Sequence, residues 1–205
     1  MKILFQGDSI TDCGRDKRNY HDLGPGYAKY AAELICAAYP DTDFEFINFG
    51  IGGNRTSQLF DRLYTDGIAF QPDVISIFIG INDIWHRYGF ENIATTDEQI
   101  KLNYRSILER IKRETNAKII MIQPYLLDAE SVQYLKKDLA TLHEIVKELA
   151  DEFADAYIPL HDYFDEAMKT QPEPLYYSAD GVHPNVEGAK LIAGYYKAAI
   201  DKIMK

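Results

Sequence analysis

Three side chains have the types and the spacing that nucleophilic acyl transfer requires. Ser9 lies in the run Gly-Asp-Ser-Ile-Thr, and Asp180 and His183 lie three residues apart near the other end of the chain. A serine hydroxyl is a weak nucleophile at neutral pH and needs an adjacent base that a third group orients. We therefore predict Ser9 as nucleophile, His183 as base and Asp180 as the group that orients the histidine.

Acyl transfer also needs hydrogen-bond donors for the negative oxygen of the tetrahedral intermediate. The backbone N–H groups of Ser9 and Gly53 can supply two, and a glycine lets the backbone approach a ligand closely. The side-chain amide of Asn82 can supply a third without adding a charge that competes with the histidine. These residues predict ester hydrolysis without a metal or a cofactor.

Other polar residues near the motifs have simpler explanations. Asp8 is an acidic residue near a helix start, where the helix dipole accounts for it, so we leave it out of the predicted active set. The four remaining histidines, among them His86, have no metal-ligand spacing and are assigned to the surface or the core. We expect Asp83 to order its own loop through hydrogen bonds to the backbone.

The elements that must position these residues alternate along the chain. Short apolar runs, typical of strands buried on both faces of a parallel sheet, lie at residues 2–6, 44–49, 73–79, 118–123 and 157–160. Apolar residues recur at helical spacing between them. The alternation predicts an α/β fold in one domain over residues 1–205, a three-layer α/β/α sandwich. Its five-stranded parallel sheet is expected to have the flavodoxin-like order 2-1-3-4-5.

In such a sheet, ligands bind beyond the carboxyl ends of the strands. Polar clusters follow the first three apolar runs at residues 7–11, 50–54 and 80–83, and a fourth at 180–184 precedes the last helical segment. We expect all four to meet at one edge of the sheet.

Composition limits the classes of partner. The 205 residues are 46% hydrophobic, and 32 acidic against 22 basic residues give a net charge of −10. An acidic protein is poorly suited to nucleic acid or to an anionic membrane, so a neutral small molecule or polymer is expected. Two cysteines make no disulfide framework, and the N-terminal apolar run is too short for a signal peptide, so we predict a cytoplasmic protein.

The four clusters together resemble the SGNH hydrolases, also called GDSL-type esterases and lipases. That family is named for four residue types, which here are Ser9, Gly53, Asn82 and His183. The matching motifs, in order, are Gly-Asp-Ser-Ile at 7–10, Asn-x-Gly-x-x-Gly at 48–53, Gly-x-Asn-Asp at 80–83 and Asp-x-x-His at 180–183. The resemblance implies that Ser9, His183 and Asp180 act as nucleophile, base and partner of the base.

A closer resemblance is to the intracellular acetylxylan esterases of bacteria. It rests on residues 10–15, 23–27 and 79–85. It implies a carbohydrate O-acetyl esterase whose substrate is a small acetylated sugar or xylo-oligosaccharide, and it is compatible with a homo-oligomer. Ala179 departs from that group, in which a tryptophan is expected. Trp85, the only tryptophan, could stack on a sugar ring or pack under its loop.

Two other functions stay open at this stage. A lysophospholipase, a thioesterase or a platelet-activating-factor acetylhydrolase type of activity would use the same residues on a different acyl group. A non-catalytic carbohydrate-binding module would keep the fold without turnover. The presence of Ser9, Asp180 and His183 disfavours the binding module, and the preferred acyl-chain length separates the two enzymatic activities.

Overall fold

Parallel strands form one sheet in the computed structural model, which describes residues 1–88, 92–171, 173 and 176–205. The strands are β1 (Lys2–Gly7), β2 (Glu45–Asn48), β3 (Val74–Phe78), β4 (Lys118–Ile122) and β5 (Ala156–Ile158). Their order across the sheet is β2-β1-β3-β4-β5. The predicted parallel sheet and its strand order are confirmed.

Helices cover both faces of the sheet. They are α1 (Ser9–Asp12), α2 (Tyr27–Ala38), α3 (Thr56–Arg62), α4 (Ile81–Trp85), α5 (Asp97–Glu114), α6 (Lys136–Phe153), α7 (Leu160–Met168) and α8 (Val186–Ile203). α2 packs against α8, while α5 packs between α3 and α6. Within the described ranges, none of the helices combines the length and the hydrophobicity that crossing a bilayer requires.

The local sequence explains the elements that carry the core. All five residues of β3, which lies between β1 and β4, are buried, as the continuous apolar run predicts. α5 begins with a capping box, in which Thr96 and Gln99 exchange hydrogen bonds between side chain and backbone. Its buried stripe includes Ile100, Tyr104 and Ile107 at helical spacing.

The last strand ends earlier than its apolar run. The sequence predicts a strand over 157–160, whereas β5 ends at Ile158. Pro159 follows, and because proline has no backbone N–H it cannot continue the ladder of the sheet. Leu160 is instead the first residue of α7.

The Arg62 guanidinium joins the chain segments that leave β1 and β2. Nη2 donates to the Gly7 carbonyl at 3.0 Å, and Nη1 donates to the Phe49 carbonyl at 2.7 Å. Nε donates to the Asn54 side chain at 2.7 Å. The side chain is only 13% exposed, and its ion pair with Asp66 is 3.3 Å long. One largely buried arginine therefore joins the end of β1 to two points of the loop that follows β2, at the carboxyl edge of the sheet.

We expect Arg62→Ala to lower the free energy of unfolding by roughly 3 kcal/mol, because it leaves buried acceptors without donors. Urea unfolding measures this loss. The control is Arg113→Ala, which removes an ion pair with Glu114 from an arginine side chain that is 67% exposed and should cost less than about 1 kcal/mol. Equal losses for the two variants would show that Arg62 does not hold the loops.

Candidate active site

The fold brings the three predicted acyl-transfer residues into one hydrogen-bonded chain. Ser9 Oγ lies 2.8 Å from His183 Nε2, and His183 Nδ1 lies 2.6 Å from Asp180 Oδ2. Ser9 begins α1 one residue after β1 ends, whereas Asp180 and His183 lie in the loop that leads into α8. The geometry is that of a nucleophile, a base and an orienting carboxylate.

The loop between Ser178 and His183 holds the carboxylate by its backbone. Asp180 Oδ1 accepts the N–H groups of Val182 at 2.9 Å and His183 at 2.7 Å, which leaves Oδ2 for the imidazole. Ser178 Oγ donates to the His183 carbonyl at 2.7 Å. Partial burial raises the pKa of Asp180, but the hydrogen bonds from His183 and Val182 outweigh it and lower the pKa below its usual value. The carboxylate therefore stays ionised at neutral pH.

The three predicted oxyanion donors lie around the same cavity. It measures about 270 Å³ and is lined by Ser9, Gly53, Asn82, Trp85, His86 and His183. In the described part of the chain, the Ser9 and Gly53 N–H groups donate to no protein acceptor. Gly53 has φ +79, which a glycine adopts without strain. One amide hydrogen of Asn82 is used by the Asn54 carbonyl at 3.1 Å, and the second is available to a ligand.

The loop that carries Gly53 is anchored by an aspartate that sequence reasoning did not select. Asp12 is 6% exposed, and its Oδ2 accepts the Gly52 N–H at 2.9 Å. The same oxygen pairs with Lys17 at 2.9 Å. Asp12 lies one helical turn after Ser9, and this spacing is the only signal in the sequence that places it on the same side of α1.

An aromatic side chain forms one wall of the cavity. The ring centroids of Trp85 and His183 are 6.1 Å apart, and Trp85 also packs against the core. His86, which the sequence assigned to the surface or the core, is a further lining residue. Ala179 is exposed beside the triad, and the side chains of Asp180 and His183 are each 44% exposed. The triad is therefore open to a large alcohol group on the solvent side.

Two further carboxyl groups are buried beneath the site. Burial raises the pKa of Asp83 to about 6, although Thr56 donates to it from its backbone at 2.9 Å and its hydroxyl at 2.7 Å. The expectation that Asp83 orders a loop is consistent with these bonds. Burial also raises the pKa of Asp8 to about 7, and its Oδ1 accepts the Ile10 N–H at 3.1 Å. Asp8 thus caps α1, and the helix dipole alone does not account for its environment.

Asp8→Asn keeps the acceptor for Ile10 but removes the ionisation. Burial raises the pKa of Asp8 to about 7 in the folded protein, whereas the pKa in the unfolded chain is about 3.8. The unfolded chain therefore ionises first as the pH rises, and between these two values this group lowers the free energy of unfolding. We expect the free energy of unfolding of Asp8→Asn, measured in urea relative to that of the parent, to increase by up to about 4 kcal/mol from about pH 4 to about pH 8.

The exposed Asp41 supplies the control, as Asp41→Asn makes the same chemical change outside the core. A difference between Asp8→Asn and the parent that does not vary with pH would contradict the raised pKa.

Comparison with known proteins identifies the family. Residues 5–191 match the GDSL-like lipase/acylhydrolase family. An acetylxylan esterase from Geobacillus stearothermophilus is 33% identical over 200 residues, which cover 94% of this chain and 90% of that protein.

Solved structures agree with the sequence match. A GDSL-like protein from Parabacteroides merdae superposes with a TM-score of 0.93 at 34% identity, over 98% of this chain and 95% of that one. The structure of the acetylxylan esterase from Geobacillus stearothermophilus superposes with a TM-score of 0.88 at 32% identity, over 97% of this chain and 93% of that one. Its catalytic mutants replace a serine, an aspartate or a histidine by alanine, and the aspartate precedes the histidine by three residues. With the family match spanning nearly its whole length, the chain belongs to the GDSL-like lipase/acylhydrolase family and is a carboxylic ester hydrolase.

Proposed function

We propose that the protein removes O-acetyl groups from carbohydrates, with Ser9 as nucleophile, His183 as general base and Asp180 as its orienting partner. The observation that carries the mechanism is the continuous chain from Ser9 Oγ to His183 Nε2 at 2.8 Å and from His183 Nδ1 to Asp180 Oδ2 at 2.6 Å. The catalytic mutants of the Geobacillus enzyme support the assignment, because they concern the same residue types with the same Asp-to-His spacing.

Acylation begins with attack of Ser9 Oγ on the acetyl carbonyl carbon while His183 Nε2 takes the hydroxyl proton. The carbonyl oxygen becomes negative and receives hydrogen bonds from the Ser9 and Gly53 N–H groups and from the Asn82 amide. Collapse of the tetrahedral intermediate breaks the bond to the sugar oxygen, which receives the proton from His183. The sugar leaves with a free hydroxyl, and the acetyl group stays on Ser9.

Deacylation repeats the sequence with water as nucleophile. His183 takes a proton from water as the water oxygen attacks the acetyl-serine, and acetic acid leaves as that proton passes to Ser9 Oγ; the released acid then ionises to acetate in solution. Asp180 stays ionised throughout, because its hydrogen bonds hold its pKa below the usual value. Its charge stabilises the imidazolium in both steps without accepting the proton.

The shape of the site supports a short acyl group and a sugar alcohol. The cavity of about 270 Å³ is small among ligand pockets, which suits an acetyl group with part of one sugar ring. Trp85 offers an aromatic surface beside His183, and aromatic rings pack well against sugar faces. The openness of the triad beside Ala179 leaves room for the remainder of an oligosaccharide. The similarity to an acetylxylan esterase agrees with xylo-oligosaccharides as the substrate class.

The first test is hydrolysis of p-nitrophenyl esters from acetate to long acyl chains, together with acetic acid release from acetylated xylo-oligosaccharide. We expect a strong preference for acetate and loss of nearly all turnover in Ser9→Ala, because the triad loses its nucleophile. Ser106→Ala, on α5 outside the cavity, is the matched control and should keep turnover. Preference for long chains would instead favour a lipid or thioester substrate, and no Ser9-dependent turnover on any ester would favour a binding module.

Asn82→Ala should lower kcat by about 10²-fold or more with little change in KM, because the lost donor acts on the transition state. Steady-state kinetics on p-nitrophenyl acetate separates the two parameters, and thermal unfolding shows whether losing the bond to the Asn54 carbonyl disturbs the fold. An unchanged kcat with a raised KM would assign Asn82 to substrate binding alone.

A further inference from the structure

Arg55 is a cation without a carboxylate partner beside the active-site cavity. Among the described residues it forms no ion pair, its Nε is buried without a hydrogen-bond partner, and its Nη1 makes only a long 3.4 Å bond to Thr95 Oγ1. Arg87, also near the site, is by contrast neutralised by Asp97 at 2.6 Å and Asp138 at 3.3 Å. A buried guanidinium donor without an acceptor is costly. Because this Nε is itself covered, an anionic ligand would contact the guanidinium through its Nη atoms and offset the uncompensated charge.

Arg55 lines a groove of about 430 Å³ that adjoins the catalytic cavity. The two have no lining residue in common, but the backbone connects them at two points. Gly53, two residues before Arg55, lines the cavity. On the other side, the Ile93 N–H in the groove donates to the carbonyl of His86, a cavity residue, at 2.9 Å. A chain of sugars could therefore extend from the nucleophile into the groove.

The groove combines one cation with neutral hydrogen-bonding groups and with the apolar side chains of Ile93, Ala94 and Leu102. Hydroxyl and amide side chains line it, contributed by Ser57, Thr95, Gln99 and Asn103, and its described lining contains no acidic residue. The nearby carboxyl of Asp83 is engaged by Thr56 and leaves the guanidinium unpaired. A planar guanidinium fork matches a carboxylate in two parallel hydrogen bonds, and the hydroxyls and amides match the hydroxyls of a sugar.

We propose that this groove is a second saccharide subsite that binds a uronic acid, with the sugar carboxylate on Arg55. The inference rests on the proposed function and narrows its substrate class to acetylated oligosaccharides that carry an acidic sugar. The overall charge of −10 is compatible with an acidic ligand, because the ligand is recognised by the nearby guanidinium of Arg55, which is partly shielded from water.

The kinetic test uses a matched pair of acetylated xylo-oligosaccharides, with and without one uronic acid substituent. We expect kcat/KM to favour the acidic substrate by roughly tenfold or more at low salt, and about 0.5 M sodium chloride to reduce the preference. Arg55→Gln should abolish the preference, and Arg55→Lys, which keeps the charge but not the fork, should retain part of it. Lys101→Gln removes a positive charge from α5, where Lys101 pairs with Glu148 outside the groove, and should leave the preference intact.

A binding test separates this inference from the proposed function. Methyl β-glucuronide and the neutral methyl β-glucoside contain no ester, so their binding to Ser9→Ala protein can be followed by NMR titration. We expect the glucuronide to bind more tightly and Arg55→Gln to remove the difference. If esters are not hydrolysed but the glucuronide still binds through Arg55, the proposed function falls and the subsite stands. Equal binding of the two sugars, or an equal loss of kcat/KM on both substrates in Arg55→Gln, would overturn the subsite.

Discussion

The hydrogen bonds of the Arg62 guanidinium are the constraint on which the geometry of the site depends. The carbonyls of Gly7 and Phe49 lie where β1 and β2 end, and Arg62 donates to both while it also holds the Asn54 side chain. The Asn54 carbonyl in turn accepts from Asn82. Through these bonds one side chain sets the relative positions of the segment before Ser9 and of the two later segments that carry Gly53 and Asn82, the proposed oxyanion donors. Preorganised donors of this kind are the largest contributors to many acyl-transfer reactions.

Carboxyl groups within the same site differ in pKa because their surroundings differ. Asp180 receives three hydrogen bonds from the loop that it starts, which hold its pKa low despite partial burial. Asp8 and Asp83 are almost wholly buried, and loss of hydration raises their pKa values. The balance between desolvation and donated hydrogen bonds decides which carboxyl carries charge at neutral pH. At neutral pH the carboxyl beside His183 is charged, Asp83 with a pKa of about 6 is largely charged, and Asp8 with a pKa of about 7 is about half protonated.

Openness and local charge shape what the site accepts. The small side chain of Ala179 leaves the solvent side of the triad uncovered, while the acetyl side is limited by a cavity of about 270 Å³. An ester with a small acyl group and a large alcohol group fits a site that is confined on one side and open on the other. Arg55 adds a single positive charge to the groove that neighbours the cavity. Selectivity would then reside in groups at the rim, and the chemistry in the proposed triad.

The strands and the residues that could form a triad were predictable from the sequence, because local patterns mark both, and the sheet order followed from the rules that limit α/β topologies. Apolar runs define strands, and Asp180 and His183 are close enough in sequence for one loop to join them. The roles of Asp12 and Arg62 became visible only in the tertiary structure, because their partners Gly52, Gly7 and Phe49 are distant in the chain. Pro159 indicated that β5 ends early, but the strand over residues 157–160 was predicted from the apolar run alone. Whether Arg55 has a partner also depends on packing, since charge pairing is a property of distance in space and not of spacing in sequence.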